Sequence, residues 1–135
     1  MRISSRGIII QNGKVLTMFR RKIKDGNTKE YYVIPGGGLE DGETLEQNVV
    51  RELKEEMNVD IKILGYLGQD DQTGSNYFHC QITNGTPKLG GEELDRMTND
   101  NYYEPLFVNI DNLQNIDIYG REFIFKALNC DYVQK

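Results

Sequence analysis

Three glutamates, Glu52, Glu55 and Glu56, stand at i, i+3 and i+4 in the segment RELKEEMNV, a spacing that puts all three on one face of a 3.6-residue helix. Like charges so placed destabilise an isolated helix by roughly 0.2 to 0.5 kcal/mol per pair. A hard divalent cation would relieve them, because Mg²⁺ takes oxygen ligands and usually sits among a few carboxylates, waters and substrate phosphates. Upstream, Gly36, Gly37 and Gly38 have no side chains to obstruct a close approach, so their carbonyls or N–H groups can face a metal or a phosphate directly. The bland alternative is a solvated acidic helix after a flexible turn. The register that the glycines keep with Glu43 and the Arg51-Glu52 pair weighs against it.

Positioning these groups requires a helix with a fixed start and one buried side. Thr44 followed by Gln47 forms a capping box, in which each side chain satisfies a backbone N–H left over at the helix start. Leu45, Val49, Leu53 and Met57 recur four apart and make an apolar face, which Val50 is expected to broaden. Arg51 points about 100° from Glu52 on a helix and is not expected to share its task.

Gly37, Glu43, Arg51, Glu52, Leu53, Glu55, Glu56 and Val59 follow the pattern G-x5-E-x7-R-E-U-x-E-E-x-G-U, where U is a bulky aliphatic residue. This resembles the Nudix box, and the chain resembles a MutT-like Nudix hydrolase. Asn58 stands where the family has glycine, and Asn is the residue that best tolerates the left-handed helix end found there. The resemblance implies hydrolysis of a phosphoanhydride in a nucleoside diphosphate linked to another group, dependent on Mg²⁺ with Mn²⁺ able to substitute. It makes Glu52, Glu55, Glu56 and the Gly36 carbonyl the metal ligands, with Gly37 and Gly38 against the diphosphate. It pairs Arg51 with Glu43, holding loop against helix. It also points to one of Arg20 and Arg21 near substrate phosphates, where the planar guanidinium fork suits phosphate oxygens, with a solvated strand end as the alternative for each.

Some relatives recruit a further acid from outside the box, as metal ligand or general base, and the stretch GGEELDR resembles the segment that supplies it, with Glu93 the candidate, Glu92 second and a surface role the alternative for either. By the resemblance, Glu52 or Glu93 would take the proton of the attacking water, relatives differing in which. Tyr103 and Phe107 resemble the aromatic pair of the same segment, with core packing as the alternative. Two rival readings remain: an ADP-ribose or nucleotide-sugar pyrophosphatase, and a non-catalytic Nudix-fold module that senses nucleotides. Members of the latter kind have eroded glutamates, whereas all three persist here.

At 135 residues the chain fits one domain, residues 1–135, with a net charge of −5. That balance argues against duplex nucleic acid and anionic membranes and for a small-molecule nucleoside diphosphate derivative as partner. Cys80 and Cys130 have neither metal-ligand nor redox spacing, so buried reduced thiols are expected. The N-terminus lacks the pattern of a signal peptide and no segment is long and apolar enough to span a bilayer, which makes the cytoplasm the default compartment. A homodimer is left open. His79, alone in a strand, is assigned no catalysis.

Strands are expected at 5–10 and 14–20, joined by Asn12-Gly13, then at 31–34 after a polar loop, DGNTKE, and ending at Pro35. Further strands are read at 59–69, 75–83 and 103–110, with 92–101 ambiguous between a helical turn and a loop. An amphipathic helix at 119–128 closes the chain. The order gives an α+β domain, which the resemblance sharpens to the Nudix α/β/α sandwich with a mixed sheet and the box loop and helix as its working part.

Overall fold

The computed structural model describes residues 2–135. Asn12 and Gly13, both at positive φ (53° and 74°), fold strand β1 (Ser4–Gln11) onto β2 (Lys14–Lys24), as the twist of a two-residue hairpin demands. Asp25 and Gly26 do the same (53° and 77°) between β2 and β3 (Asn27–Val33). The expected DGNTKE loop is therefore a two-residue turn followed by strand. Its residues are exposed on both sides, so the apolar alternation that betrays a half-buried strand is missing.

Strand β4 (Gly36–Gly38) follows, then helix α1 (Leu45–Met57), β5 (Asp60–Asp70), β6 (Ser75–Asn84), helix α2 (Gly91–Arg96), β7 (Asn101–Asn109), a 3-10 turn at Ile110–Asn115 and helix α3 (Arg121–Leu128). The ambiguous segment 92–101 thus begins in the short helix α2 and passes through a turn into β7. The sheet order is β3-β2-β1-β6-β5, with β4 on β1 and β7 on β2. Strand β1 runs parallel to β6 and antiparallel to its other partners.

Helices cover both faces of this sheet. Ile9, Leu16, Met18, Phe78 and Cys80 pack with Val49, Leu53 and Met57 of α1, while Ile8, Val15, Leu67 and Tyr77 pack with Phe123, Ile124 and Ala127 of α3. Burial on both faces explains why Ile8 and Ile9 are adjacent and both fully buried, without the alternation of a one-sided strand. A Cβ at Gly7 would stand 3.2 Å from Val49 and 3.3 Å from Leu53, so α1 lies directly on β1. Val50 does not join that face: it is 41% exposed. Cys80 is buried, and burial pushes its thiol up to about 12, whereas Cys130 is exposed, contrary to expectation. Among the described residues no helix is long and apolar enough to cross a membrane.

Candidate metal and diphosphate site

The glycine run is held in place by strand pairing and by the helix that follows it. Gly36, Gly37 and Gly38 pair with Arg6, Ser5 and Ser4 of β1. The start of α1 is the expected capping box: Gln47 N–H donates to Thr44 Oγ1 at 3.0 Å, and Thr44 N–H to Gln47 Oε1 at 2.9 Å. Arg51 then ties the intervening loop to the helix. Its Nε donates to Glu43 Oε2 at 2.6 Å, and its Nη2 to Glu43 Oε1 at 3.0 Å and to the Gly38 carbonyl at 3.1 Å. Asn48 Nδ2 donates to the same carbonyl at 3.1 Å. The guanidinium also holds the Glu43 carboxyl below its ordinary range.

The box glutamates occupy three different environments. Glu56 is 4% exposed, and the Gly36 N–H donates to its Oε2 at 3.4 Å. Burial, reinforced by the charge of Glu93 and partly offset by Arg6, raises its pKa to about 8. Glu52 is half-buried, and burial raises its carboxyl as well. Glu55 is exposed. Contrary to the sequence reading, Arg51 reaches this group, its Nη1 lying 3.1 Å from Glu52 Oε1 and 3.0 Å from Glu55 Oε2. Among the described residues no three acidic, histidine or cysteine side chains stand close enough together to hold a metal ion.

The donors nevertheless suit a hard cation, being carboxylate and carbonyl oxygens. A Cβ at Gly37 would run into the Glu52 carboxylate, so only glycine leaves the space in front of that group open. What a cation would require is that Glu52 and Glu55 turn from Arg51.

Helix α2 brings two more acids to this place. Lys88 N–H donates to the Met57 carbonyl at 2.9 Å and Gly90 N–H to the Glu56 carbonyl at 3.0 Å, which docks the connecting loop on the end of α1. Asn58, at φ 59° as expected of a left-handed cap, adds a bond from its Nδ2 to the Lys88 carbonyl at 2.8 Å. Glu92 and Glu93 thereby line, with Glu52, Glu55 and Gly36–Gly38, a cavity of about 320 Å³. Arg2 and Arg6 line it too.

Those two arginines and Gly38 also border a second cavity of about 710 Å³ on the α3 side, walled by Tyr77, Ile118 and Tyr119. Arg6 is fixed there, its Nη1 donating to the Ile34 carbonyl at 2.8 Å and its Nε to Ser75 Oγ at 3.4 Å. Neither arginine was a sequence candidate. The available signal was parity along β1, where Ser4, Arg6 and Ile8 share a face.

Arg20, Arg21 and Tyr103 are not among the residues that line the glutamate cavity. Arg20 lies flat on Tyr103, its guanidinium carbon 3.8 Å from the ring centroid, and Tyr103 is buried. Arg21 points to the opposite face of the strand and covers Tyr102 at 4.7 Å. Phe107 is partly buried against the core. His79 Nδ1 lies 2.9 Å from the Tyr132 hydroxyl, and His79 is not among the residues that line the glutamate cavity.

Comparison with known proteins bears on the family and the fold. The NUDIX domain family model matches residues 1–121. An ADP-ribose pyrophosphatase of Methanocaldococcus jannaschii is 42% identical over 62 residues, 46% of this chain and 35% of that protein; the match thus spans about a third of that relative's length. Among solved structures, an ADP-ribose pyrophosphatase from Streptococcus suis superposes with a TM-score of 0.67 at 19% identity, covering 99% of this chain and 94% of that one. A NUDIX hydrolase from Nitrosomonas europaea does so with a TM-score of 0.67 at 18% identity, covering 99% and 96%. At these identities the superpositions show a shared fold, of mixed sheet and covering helices. With the family model spanning nearly the whole of it, the chain belongs to the NUDIX domain family.

Proposed function

We propose that the chain hydrolyses a phosphoanhydride bond in a nucleoside diphosphate linked to another group, at the cavity between Gly36–Gly38 and the face of α1 that carries Glu52, Glu55 and Glu56. The observation that carries this reading is the burial of Glu56, which faces Glu52 and Glu93 with its pKa raised to about 8. Burying a carboxyl is costly, and the group answers by holding its proton; a divalent cation would let it ionise in place.

Glu52, Glu55, Glu56 and the Gly36 carbonyl would hold Mg²⁺, or Mn²⁺ in its place, with Glu93 close by. When bound, the ion neutralises diphosphate charge and lowers the pKa of a water. The rest is positioning. Arg51 bonds both Glu43 and the Gly38 carbonyl, fixing the glycine strand against the helix. Gly37 and Gly38 let the diphosphate approach the backbone. Arg2 and Arg6 stand where the two cavities meet, suited to phosphate oxygens, and the larger cavity, with Tyr119 half exposed at its wall, takes the nucleoside. The proton of the attacking water passes to Glu52 or Glu93. The names of the relatives support a pyrophosphatase of the ADP-ribose kind within this class.

The test is a panel of nucleoside triphosphates, dinucleoside polyphosphates and nucleotide sugars incubated with Mg²⁺ and resolved by product. Cleavage between phosphates is expected, with turnover falling by about two orders of magnitude or more in Glu55→Gln and in Glu56→Gln. No turnover of any member, or wild-type turnover by both variants at saturating Mg²⁺, would overturn the assignment.

A further inference from the structure

Of the buried residues of α1, only Asn48 and Glu56 are polar. Asn48 is fully buried, and Asn is among the weaker helix formers. Its carboxamide is moreover only half satisfied. Nδ2 donates to the Gly38 carbonyl at 3.1 Å, whereas Oδ1 is buried and has no partner among the described residues. A buried acceptor left unpaired lowers stability, and an apolar side chain of similar size would pack there without that loss. Stability gives no account of Asn48, and the one partner it does have points to another.

Leu39 N–H donates to the Ile3 carbonyl and Gly7 N–H to the Pro35 carbonyl, each at 2.9 Å. With Gly36, Gly37 and Gly38 opposite Arg6, Ser5 and Ser4, the alternation of an antiparallel ladder turns the main-chain groups of Gly37 toward β1. Those of Gly36 and Gly38 then point the other way, toward α1. The bonds agree: Gly36 N–H meets Glu56 Oε2, and the Gly38 carbonyl accepts from both Asn48 Nδ2 and Arg51 Nη2, which fills its two lone pairs. One acceptor and one donor remain on this edge of β4, the Gly36 carbonyl and the Gly38 N–H. Among the described residues no side chain bonds either of them, and both glycines line the glutamate cavity.

We propose that Asn48 is a positioning residue for the diphosphate: by holding the Gly38 carbonyl on the helix side, it keeps the Gly38 N–H turned into the cavity as a donor to a phosphate oxygen. Arg51 shares that carbonyl but is a divided anchor, because its guanidinium also bonds Glu43, Glu52 and Glu55, and a cation would draw the last two away. Asn48 has no other partner and no exposure to solvent, so its hold on the Gly38 peptide does not depend on the state of the glutamates. A carbonyl free to swing would present its negative end to the phosphates. That the diphosphate lies here rests on the function proposed above, whereas the direction of the Gly38 peptide rests on the bonds just described.

Asn48→Leu removes the donor and the unpaired acceptor together at similar volume. The metal-free variant should melt no lower than wild type, and Mg²⁺ should raise its melting temperature as much, because the glutamates and the Gly36 carbonyl are untouched. Calorimetric titration with methylenediphosphonate, an uncleavable diphosphate, in the presence of Mg²⁺ should show affinity about tenfold or more weaker in the variant. Asn48→Ala, read well below its melting temperature, repeats the titration where leucine does not fit. With the nucleotide that wild type cleaves fastest, KM should rise about tenfold at little-changed kcat. No binding to wild type, equal affinity in both variants, or an unchanged KM overturns the proposal. Loss of the Mg²⁺ response in Asn48→Leu overturns it too, since that would put Asn48 in the service of the cation. A wild type that binds methylenediphosphonate through Asn48 but cleaves no nucleotide would defeat the hydrolase reading and leave the positioning role standing.

Discussion

Glu56 differs from its two box neighbours because it is fully buried where Glu52 is half-buried and Glu55 exposed, and the difference has a measurable sign. Its folded pKa of about 8 lies above the ordinary 4.5, so between those values the folded protein keeps a proton that the unfolded chain has released. This contribution to the stability of the metal-free protein is complete below about pH 4.5 and is lost as the pH rises through about 8, at a slope approaching about 1.4 kcal/mol per unit. Urea unfolding at pH 5, 7 and 9 should show that loss in wild type and a flatter profile in Glu56→Gln; the same slope in both would mean that the group is not held as described. Saturating Mg²⁺ should flatten the wild-type profile as well, because a cation favours the ionised form. The sequence made these three glutamates legible as a set but not as unequals. Helical spacing places residues on a face, whereas depth depends on the strand and the loop laid against that face, here the backbone of Gly36 and the segment ending at Gly90. Adjacent strand residues point to opposite faces, so at most one of Arg20 and Arg21 can serve a given cavity, and neither lines that of the glutamates.

The loop and helix of the box act as one element because Arg51 fastens them, and this joint can be cut. Arg51→Ala removes a bidentate pair with Glu43 that is mostly shielded from solvent, with side chains 22% and 12% exposed, and should cost about 2 kcal/mol as well as turnover. A variant that loses rate at unchanged melting temperature would give Arg51 a role at the substrate instead. Asn58 is the second joint. At the left-handed φ of 59° it also bonds the Lys88 carbonyl and so steadies the loop that carries α2 and Glu93 to the site. Asn58→Ala should therefore cost about 1 to 2 kcal/mol, while Asn58→Gly, which relieves the backbone but drops the bond, should stay within about 1 kcal/mol of wild type. Denaturant melts of the two decide this, and equal stability of Ala and wild type would contradict it. Local signals sufficed for both ends of α1, since the capping box and the Asn cap are written in neighbouring residues. They failed at β2–β3, where the solvated strands carry no apolar period.

At the level of the whole molecule, the topology supplies what no local pattern announces. Pairing of β4 with β1 brings Arg2 and Arg6 from the start of the chain to the seam between the cavities, and docking of residues 88–90 on α1 brings Glu93 to the glutamate cavity. The layered fold itself was legible, because β-branched runs, turn residues and two amphipathic helices in that order leave few arrangements. Its central electrostatic feature is a cluster of carboxylates held together by folding and relieved only in part by Arg51. A cation that binds only the folded arrangement stabilises it by about 2.7 kcal/mol at a hundred times Kd. For a domain of this size that raises the melting temperature by on the order of 10 °C. The decisive measurement is thermal melting of the metal-free protein with and without saturating Mg²⁺, with NaCl at matched ionic strength as control, for wild type and for Glu55→Gln/Glu56→Gln. Wild type should gain on the order of 10 °C from Mg²⁺ and little from NaCl, while the double variant should lose most of that gain and melt no lower than wild type without metal. A melting temperature indifferent to Mg²⁺, or an equal response in the double variant, would mean that these carboxylates are no cation site.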